Sequence, residues 1–305
     1  MPEPKAYANP RGVSTGPPQL PYNEGKGTGP ARAGRDERGP TGRGFMTAPR
    51  TFTFLGTGTS VGVPMVGCDC AVCRSADPRN HRYRCAVLVR APEGNILIDT
   101  PPELRLQLLR ERVPLVHAVV YTHYHADHLF GLDDVRPFPR LLGAPLPIYC
   151  TDEVEEKIRT AFAYAFTPTA EGLPLGWVPR LDLRRITSEP FTVLGQRVVP
   201  VPLQHASFNV FGYRIDDLAY CTDVNRIPDA SWPLLEGLRI LVLDALRPRP
   251  HPGHFGLDEA LAVIERLKPE RAYLTHMGHE LEHEATNRRL PHGVELAYDG
   301  LRLEF

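Results

Sequence analysis

The sequence predicts a layered α/β sandwich. Two observations carry this: apolar strand-like runs come in groups with helical stretches between them, and ligand-type side chains recur just past the carboxyl ends of those runs. At 305 residues and 42% hydrophobic content, the chain can bury a large core without disulfide staples.

Residues 1–45 are rich in Gly, Pro and Arg, with little apolar to bury, and are expected to be a disordered extension. The folded domain is expected over residues 46–305, with Met46 as an alternative start. Thr51-Phe52-Thr53-Phe54-Leu55 alternates as a strand and Gly56-Thr57-Gly58 turns it. A phosphate-cradling loop is rejected there, because Pro64 and Gly67 follow instead of a helix.

Residues 85–99 read as a hairpin around Pro92-Glu93-Gly94-Asn95. Thr100-Pro101-Pro102-Glu103 is expected to cap a helix to about Arg112 with its hydroxyl. His117 to Tyr121 is a short buried strand, followed by a helical stretch to Leu142, a strand over 147–150 and a helix over 152–166. Residues 167–185 lack a clear period and are a candidate lid or an irregular loop. Hairpins turning at Gly195-Gln196 and Asp216-Asp217, a strand over 239–243, a helix over 257–267, a strand over 271–274 and a hairpin around Asp299-Gly300 complete the chain.

The chemistry concentrates in His123-Tyr124-His125-Ala126-Asp127-His128, directly after a strand. In extended backbone His123 and His125 point the same way and can grip one ion, while Asp127 and His128 face a second direction. Imidazole and carboxylate suit zinc and other first-row divalent metals. His205, Asp223 and His276 each stand just past an apolar strand.

These residues resemble the metallo-β-lactamase superfamily of dinuclear metal hydrolases. The resemblance implies an αββα sandwich of two mixed sheets flanked by helices, with two divalent ions, Zn or Mn, at one sheet edge. It implies one site from His123, His125 and His205, a second from Asp127, His128 and His276, and Asp223 bridging. Ions held about 3.5 to 4 Å apart share a hydroxide nucleophile, and metal binding lowers water's pKa to roughly 7. Asp127 joins the catalytic set, Asp99 resembles a buried aspartate that orients a ligand, and His254 resembles a general acid of phosphodiesterase members, with His251 its weaker rival.

Cys68, Cys70 and Cys73 lie together while Cys85, Cys150 and Cys221 sit singly in apolar, strand-like runs, which is not a disulfide framework; the three clustered thiolates would need a fourth ligand to hold a structural zinc. His279 is the expected fourth ligand and His283 the rival on the same helical face. This placement is similar to the PhnP-like phosphodiesterases, where such a clamp holds one structural zinc. The resemblance spans residues 52–305, and Arg79 to Arg84 occupies a place where that group is also Arg-rich, as a phosphate contact or a structural turn.

The expected function is hydrolysis of a small cyclic phosphodiester such as phosphoribosyl 1,2-cyclic phosphate. A net charge of −1 and a pI near 6.9 disfavour nucleic acid as partner. No membrane partner is expected, the cytoplasm is the default compartment, and a homodimer is consistent with the family resemblance. The alternatives are a tRNA 3′-processing nuclease, sharing the ligand set, and a redox metalloprotein like the PQQ-biosynthesis relatives.

Overall fold

The computed structural model describes residues 50–305; the extension expected over 1–45 lies outside them. Sheet one contains β1 (Thr51–Gly56), β2 (Ala86–Ala91), β3 (Gly94–Ile98), β4 (Ala118–Val120), β5 (Leu146–Cys150) and β6 (Leu181–Arg185). Sheet two contains β7 (Phe191–Val193), β8 (Gln196–His205), β9 (Phe208–Ile215), β10 (Leu218–Cys221), β11 (Ile240–Asp244), β12 (Arg271–Thr275) and β13 (Val294–Leu296). The last strand, β14 (Arg302–Glu304), returns to pair with β1. The orders are β14-β1-β2-β3-β4-β5-β6 and β13-β12-β11-β10-β9-β8-β7, each mixing parallel and antiparallel pairs.

The helices are α1 (Leu104–Arg110), α2 (Ala126–Leu129), α3 (Phe138–Leu142), α4 (Asp152–Ala161), α5 (Pro168–Glu171), α6 (Leu257–Leu267) and α7 (His283–Asn287). Strand alternation explains the layering. Val87, Val89, Ile240, Val242 and Tyr273 point into a core between the sheets. Leu88 and Leu97 face outward onto α1 and α4 through Leu104, Val154 and Ile158. Leu241, Leu243 and Leu274 face outward on the other side, onto α6 through Ala260, Val263 and Ile264. Four layers result, the expected αββα sandwich.

The glycine turn after β1 is a close approach of backbones. A Cβ on Gly56 would lie 1.9 Å from the Arg84 carbonyl oxygen and one on Gly58 2.6 Å from that of Arg82. The same turn exchanges hydrogen bonds with Met277, tying the two sheet edges together beside His276.

Four expectations are corrected. The Thr100 hydroxyl does not cap α1: it is buried against the Tyr121 hydroxyl and the Leu129 carbonyl, and α1 starts at Leu104. The helix from Asp152 ends at Ala161, giving way to a 3-10 turn over Ala163–Phe166. The segment 167–185 is not loop throughout, since it holds α5 and the edge strand β6, whose half-buried Leu-Asp-Leu alternation pairs with β5. Asp299-Gly300 does not turn a hairpin: β13 pairs in parallel with β12 while β14 crosses to β1. A run of three residues has a period but no signal of which sheet it joins.

Candidate metal centre

β4 ends at Val120, and the chain then turns so that His123 and His125 precede α2, which carries Asp127 and His128 in its first turn. β8 ends on His205, β10 stops two residues before Asp223, and β12 one residue before His276. Asp99, Asp223 and His276 all take left-handed backbone, with φ of 66°, 54° and 56°. A non-glycine residue there costs on the order of 1 kcal/mol, and such positions gather at functional sites.

The structure brings the seven predicted residues into two touching clusters. His123, His125, His205 and Asp223 present one donor atom each within 4.8 Å of one another, as do Asp127, His128, Asp223 and His276. Asp223 belongs to both. Its Oδ1 is 3.2 Å from His128 Nε2, and its Oδ2 is 3.4 Å from His276 Nε2 and 3.8 Å from His123 Nε2. Asp127 Oδ2 lies 3.5 Å from His128 Nε2 and 3.7 Å from His276 Nε2. Two ligands about 2.1 Å from one tetrahedral ion stand about 3.4 Å apart, so these spacings fit a shared cation.

In His123, His128 and His205 the second ring nitrogen explains the aim of the first. Asp99 accepts from the Thr122 amide (2.8 Å), the Thr122 hydroxyl (2.7 Å) and His128 Nδ1 (2.8 Å). His123 Nδ1 donates to the Thr122 hydroxyl oxygen at 2.9 Å, and His205 Nδ1 to the Gly253 carbonyl at 2.5 Å. That network assigns the tautomers and leaves Nε2 as the ligand atom. The Nε2 atoms of His123, His128 and His276 are buried with no hydrogen-bond partner among the described residues, a costly arrangement unless a cation completes it.

The electrostatics agree. Burial pushes Asp127 and Asp223 up, yet the surrounding histidines hold both below the usual carboxylate range. Burial opposes charge on His128 and His276, but the carboxylates outweigh it; Asp223 leads in both, and His276 rises to about 9. Burial, then the neighbouring His128, holds His123 well below its ordinary value despite Asp223 and Asp127. The two buried carboxylates thus favour positive charge on the Asp127, His128 and His276 side of the centre.

Asp244, which sequence reasoning missed, completes the constellation. It ends β11 fully buried, and its Oδ2 accepts from His254 Nδ1 at 2.7 Å and from the Val224 amide at 2.9 Å. His254 is thereby held with its ring 4.5 Å from those of both His205 and His276. Asp244 is the last residue of its strand and Asp223 lies two residues past its own, but a lone carboxylate at a strand end has no local signature in the sequence. His251 stands farther out, 5.3 Å from His254 and beyond its hydrogen-bond network.

The cysteine turn meets His279. Its Nδ1 lies 3.1, 3.3 and 3.6 Å from the sulfurs of Cys68, Cys70 and Cys73, spacings that fit four ligands around one zinc. The Cys73 amide, with His279, holds the Cys70 thiol down to about 6, while burial pushes Cys73 up to about 11. His283 does not join them. Residues 279–282 are not helical, α7 begins at His283, and its ring contacts Asn287 and Tyr298 instead. The Arg-rich segment is structural: Arg82 is buried, donating to the carbonyls of Gly278 and Leu281, and Arg79 pairs with Asp77. Arg82 thus supports the loop that carries His279.

Comparison with known proteins agrees with this class of site. Residues 94–277 match the model of the beta-lactamase superfamily domain, and the chain belongs to that superfamily. A crystal structure described as a new diphosphatase from the PhnP family is 46% identical, covers 85% of this chain and 98% of its own, and superposes with a TM-score of 0.79. Within the metallo-β-lactamase group the chain is PhnP-like, a metal-dependent hydrolase. An octanoyltransferase of Porphyromonas gingivalis is 34% identical over 252 residues, 81% of this chain; the match spans half the length of that curated relative. Zinc-bound PqqB from Methylobacterium extorquens, 19% identical over 84% of this chain and all of its own, shares the fold with a TM-score of 0.66. No helix among the described residues is long and apolar enough to cross a membrane.

Proposed function

We propose that this hydrolase cleaves a P–O bond of a small phosphodiester, a cyclic ribose phosphate being the model substrate, with His254 as general acid. The observation that carries the reading is the Asp244–His254 pair seated against both clusters. Divalent ions, when bound, would supply Lewis acidity toward water and the phosphoryl oxygens. His123, His125 and His205 would hold one and Asp127, His128 and His276 the other, with Asp223 shared. Asp244 fixes the Nδ1 proton of His254, so Nε2 is the atom that hands a proton to the departing alkoxide. Cys68, Cys70, Cys73 and His279 would hold a structural zinc that pins the 56–73 loop and takes no part in the chemistry.

Metal counting with a phosphodiesterase assay tests this, using bis(p-nitrophenyl) phosphate and a ribose cyclic phosphate. Three ions per chain and turnover of the cyclic ester are expected. Stoichiometric metal without turnover of either ester would overturn the proposal.

A second reading, cleavage of a P–O–P linkage, is favoured by the PhnP-family diphosphatase at 46% identity. Its leaving group is a phosphate, which departs with less need of a proton than an alkoxide does. Preference for diphosphates, with little sensitivity to His254→Ala, would select it.

A further inference from the structure

Beside the first histidine cluster stands an aromatic corner with no role in the chemistry above. Phe208 starts β9 directly opposite His205 in the β8–β9 register. Cross-strand partners share a face, so the register that aims His205 at the centre also fixes the Phe208 ring there. The Phe208 centroid is 5.1 Å from that of His125, at 83°, and 6.4 Å from that of His205. Tyr124 meets Phe208 at 6.0 Å and 89°, so the two rings make perpendicular walls. Phe208 nonetheless leaves 39% of its surface exposed.

A cleft of about 250 Å³ lies at this corner, lined by Tyr124, Ser207, Phe208 and Asn209 together with Glu153, Glu156 and Lys157. Tyr124, Glu153 and Asn209 also line a neighbouring cavity of about 320 Å³ that reaches His123. Lys157 Nζ stands 5.7 Å from the Tyr124 ring centroid and makes no ion pair among the described residues.

We propose that the corner is a binding shelf for a planar heteroaromatic group, of the nucleobase kind, carried by the phosphoester substrate. The inference rests on the phosphoester reading above and adds the substrate class. A planar ring can stack on Phe208 while meeting Tyr124 edge-on, the two arrangements aromatic pairs prefer. The Asn209 amide, Ser207 hydroxyl and Glu153 carboxylate bring both donors and acceptors to the rim, as the polar edge of a heterocycle requires. Lys157 shares the rim with Glu153 and Glu156, so the shelf suits the neutral base rather than a further anionic group. An aliphatic substituent would use none of these features except apolar area.

The test is calorimetric binding of adenosine 5′-phosphate and ribose 5′-phosphate to the metal-loaded full chain, which needs no turnover. Adenosine 5′-phosphate is expected to bind about tenfold tighter, in line with base stacking on an aromatic side chain. That preference should be lost in Phe208→Ala and kept in Phe208→Trp. Equal affinities in the wild type, no detectable binding of either ligand, or a preference untouched by Phe208→Ala would overturn the shelf. Preferential binding without turnover of any phosphoester would instead leave the shelf standing and remove the phosphoesterase reading.

Discussion

The two oxygens of Asp244 serve two histidines: Oδ2 lies 2.7 Å from His254 Nδ1, and Oδ1 faces His276 Nδ1 at 3.9 Å. One buried carboxylate therefore orients the candidate acid by a hydrogen bond and stands beside a candidate metal ligand without bonding to it. His254→Ala is expected to lower kcat by about 10²–10⁴-fold on esters with an alkoxide leaving group. On p-nitrophenyl esters, whose leaving group needs little proton help, the loss should be far smaller. Metal content should be unchanged. Equal losses on both classes, or none on either, would sink the acid role.

Asp244→Asn keeps the shape and removes the charge. The amide can no longer accept from Nδ1–H without reorienting, so His254 loses its fixed tautomer. The expected result is a fall in kcat of at least about tenfold, again larger for alkoxide esters, with near-normal KM. A loss confined to KM would assign Asp244 to substrate binding instead.

The shared ligand makes a different prediction. Asp223 takes part in both clusters, and its carboxylate neighbours three imidazole Nε2 atoms within 3.8 Å. Asp223→Ala should lower the metal count from three to about one, because neither site retains a full ligand set. His279→Ala should instead remove one ion, lower the thermal midpoint and leave substantial turnover. Each kcal/mol of stability lost there is worth about 2–4 °C. Metal analysis of the two variants side by side separates the sites, and loss of the same ion in both would contradict the assignment of two.

Much of this site was legible because its ligands are rare residue types placed where strands end. His123, His125, Asp127 and His128 are adjacent in sequence, and His205, Asp223 and His276 repeat the strand-end placement. Asp244 escaped because its partner His254 is ten residues away and a lone strand-end carboxylate has no local signature. The choice between His279 and His283 needed tertiary structure: Glu282 caps α7 and Asn80 accepts from the His283 amide, leaving His279 in an irregular turn beside the cysteines. β6, β13 and β14 were misread for a related reason. Each is a strand of three to five residues at the border of a sheet, and so short a run carries no signal of which strand it pairs with, whereas β11 and β12 are marked by nearly continuous burial.

His283 carries the pH prediction. Burial, then Arg79 and Arg82, holds its pKa down to about 4. In the unfolded chain the imidazole takes up a proton near pH 6.5, while the folded protein keeps it neutral. Its contribution to stability is therefore complete above about pH 6.5 and is lost as pH falls toward 4. His283→Gln removes the titration while an amide can still reach Asn287, the present partner of Nε2. The difference in unfolding free energy between wild type and variant should shrink by about 1–2 kcal/mol from pH 7 to pH 4.5, less than the full 1.36 kcal/mol per unit because the ring is partly screened. Urea unfolding of both proteins across that range measures it, and acid-driven metal loss common to the two cancels in the difference. A difference that stays flat with pH would mean that His283 is protonated in the folded state.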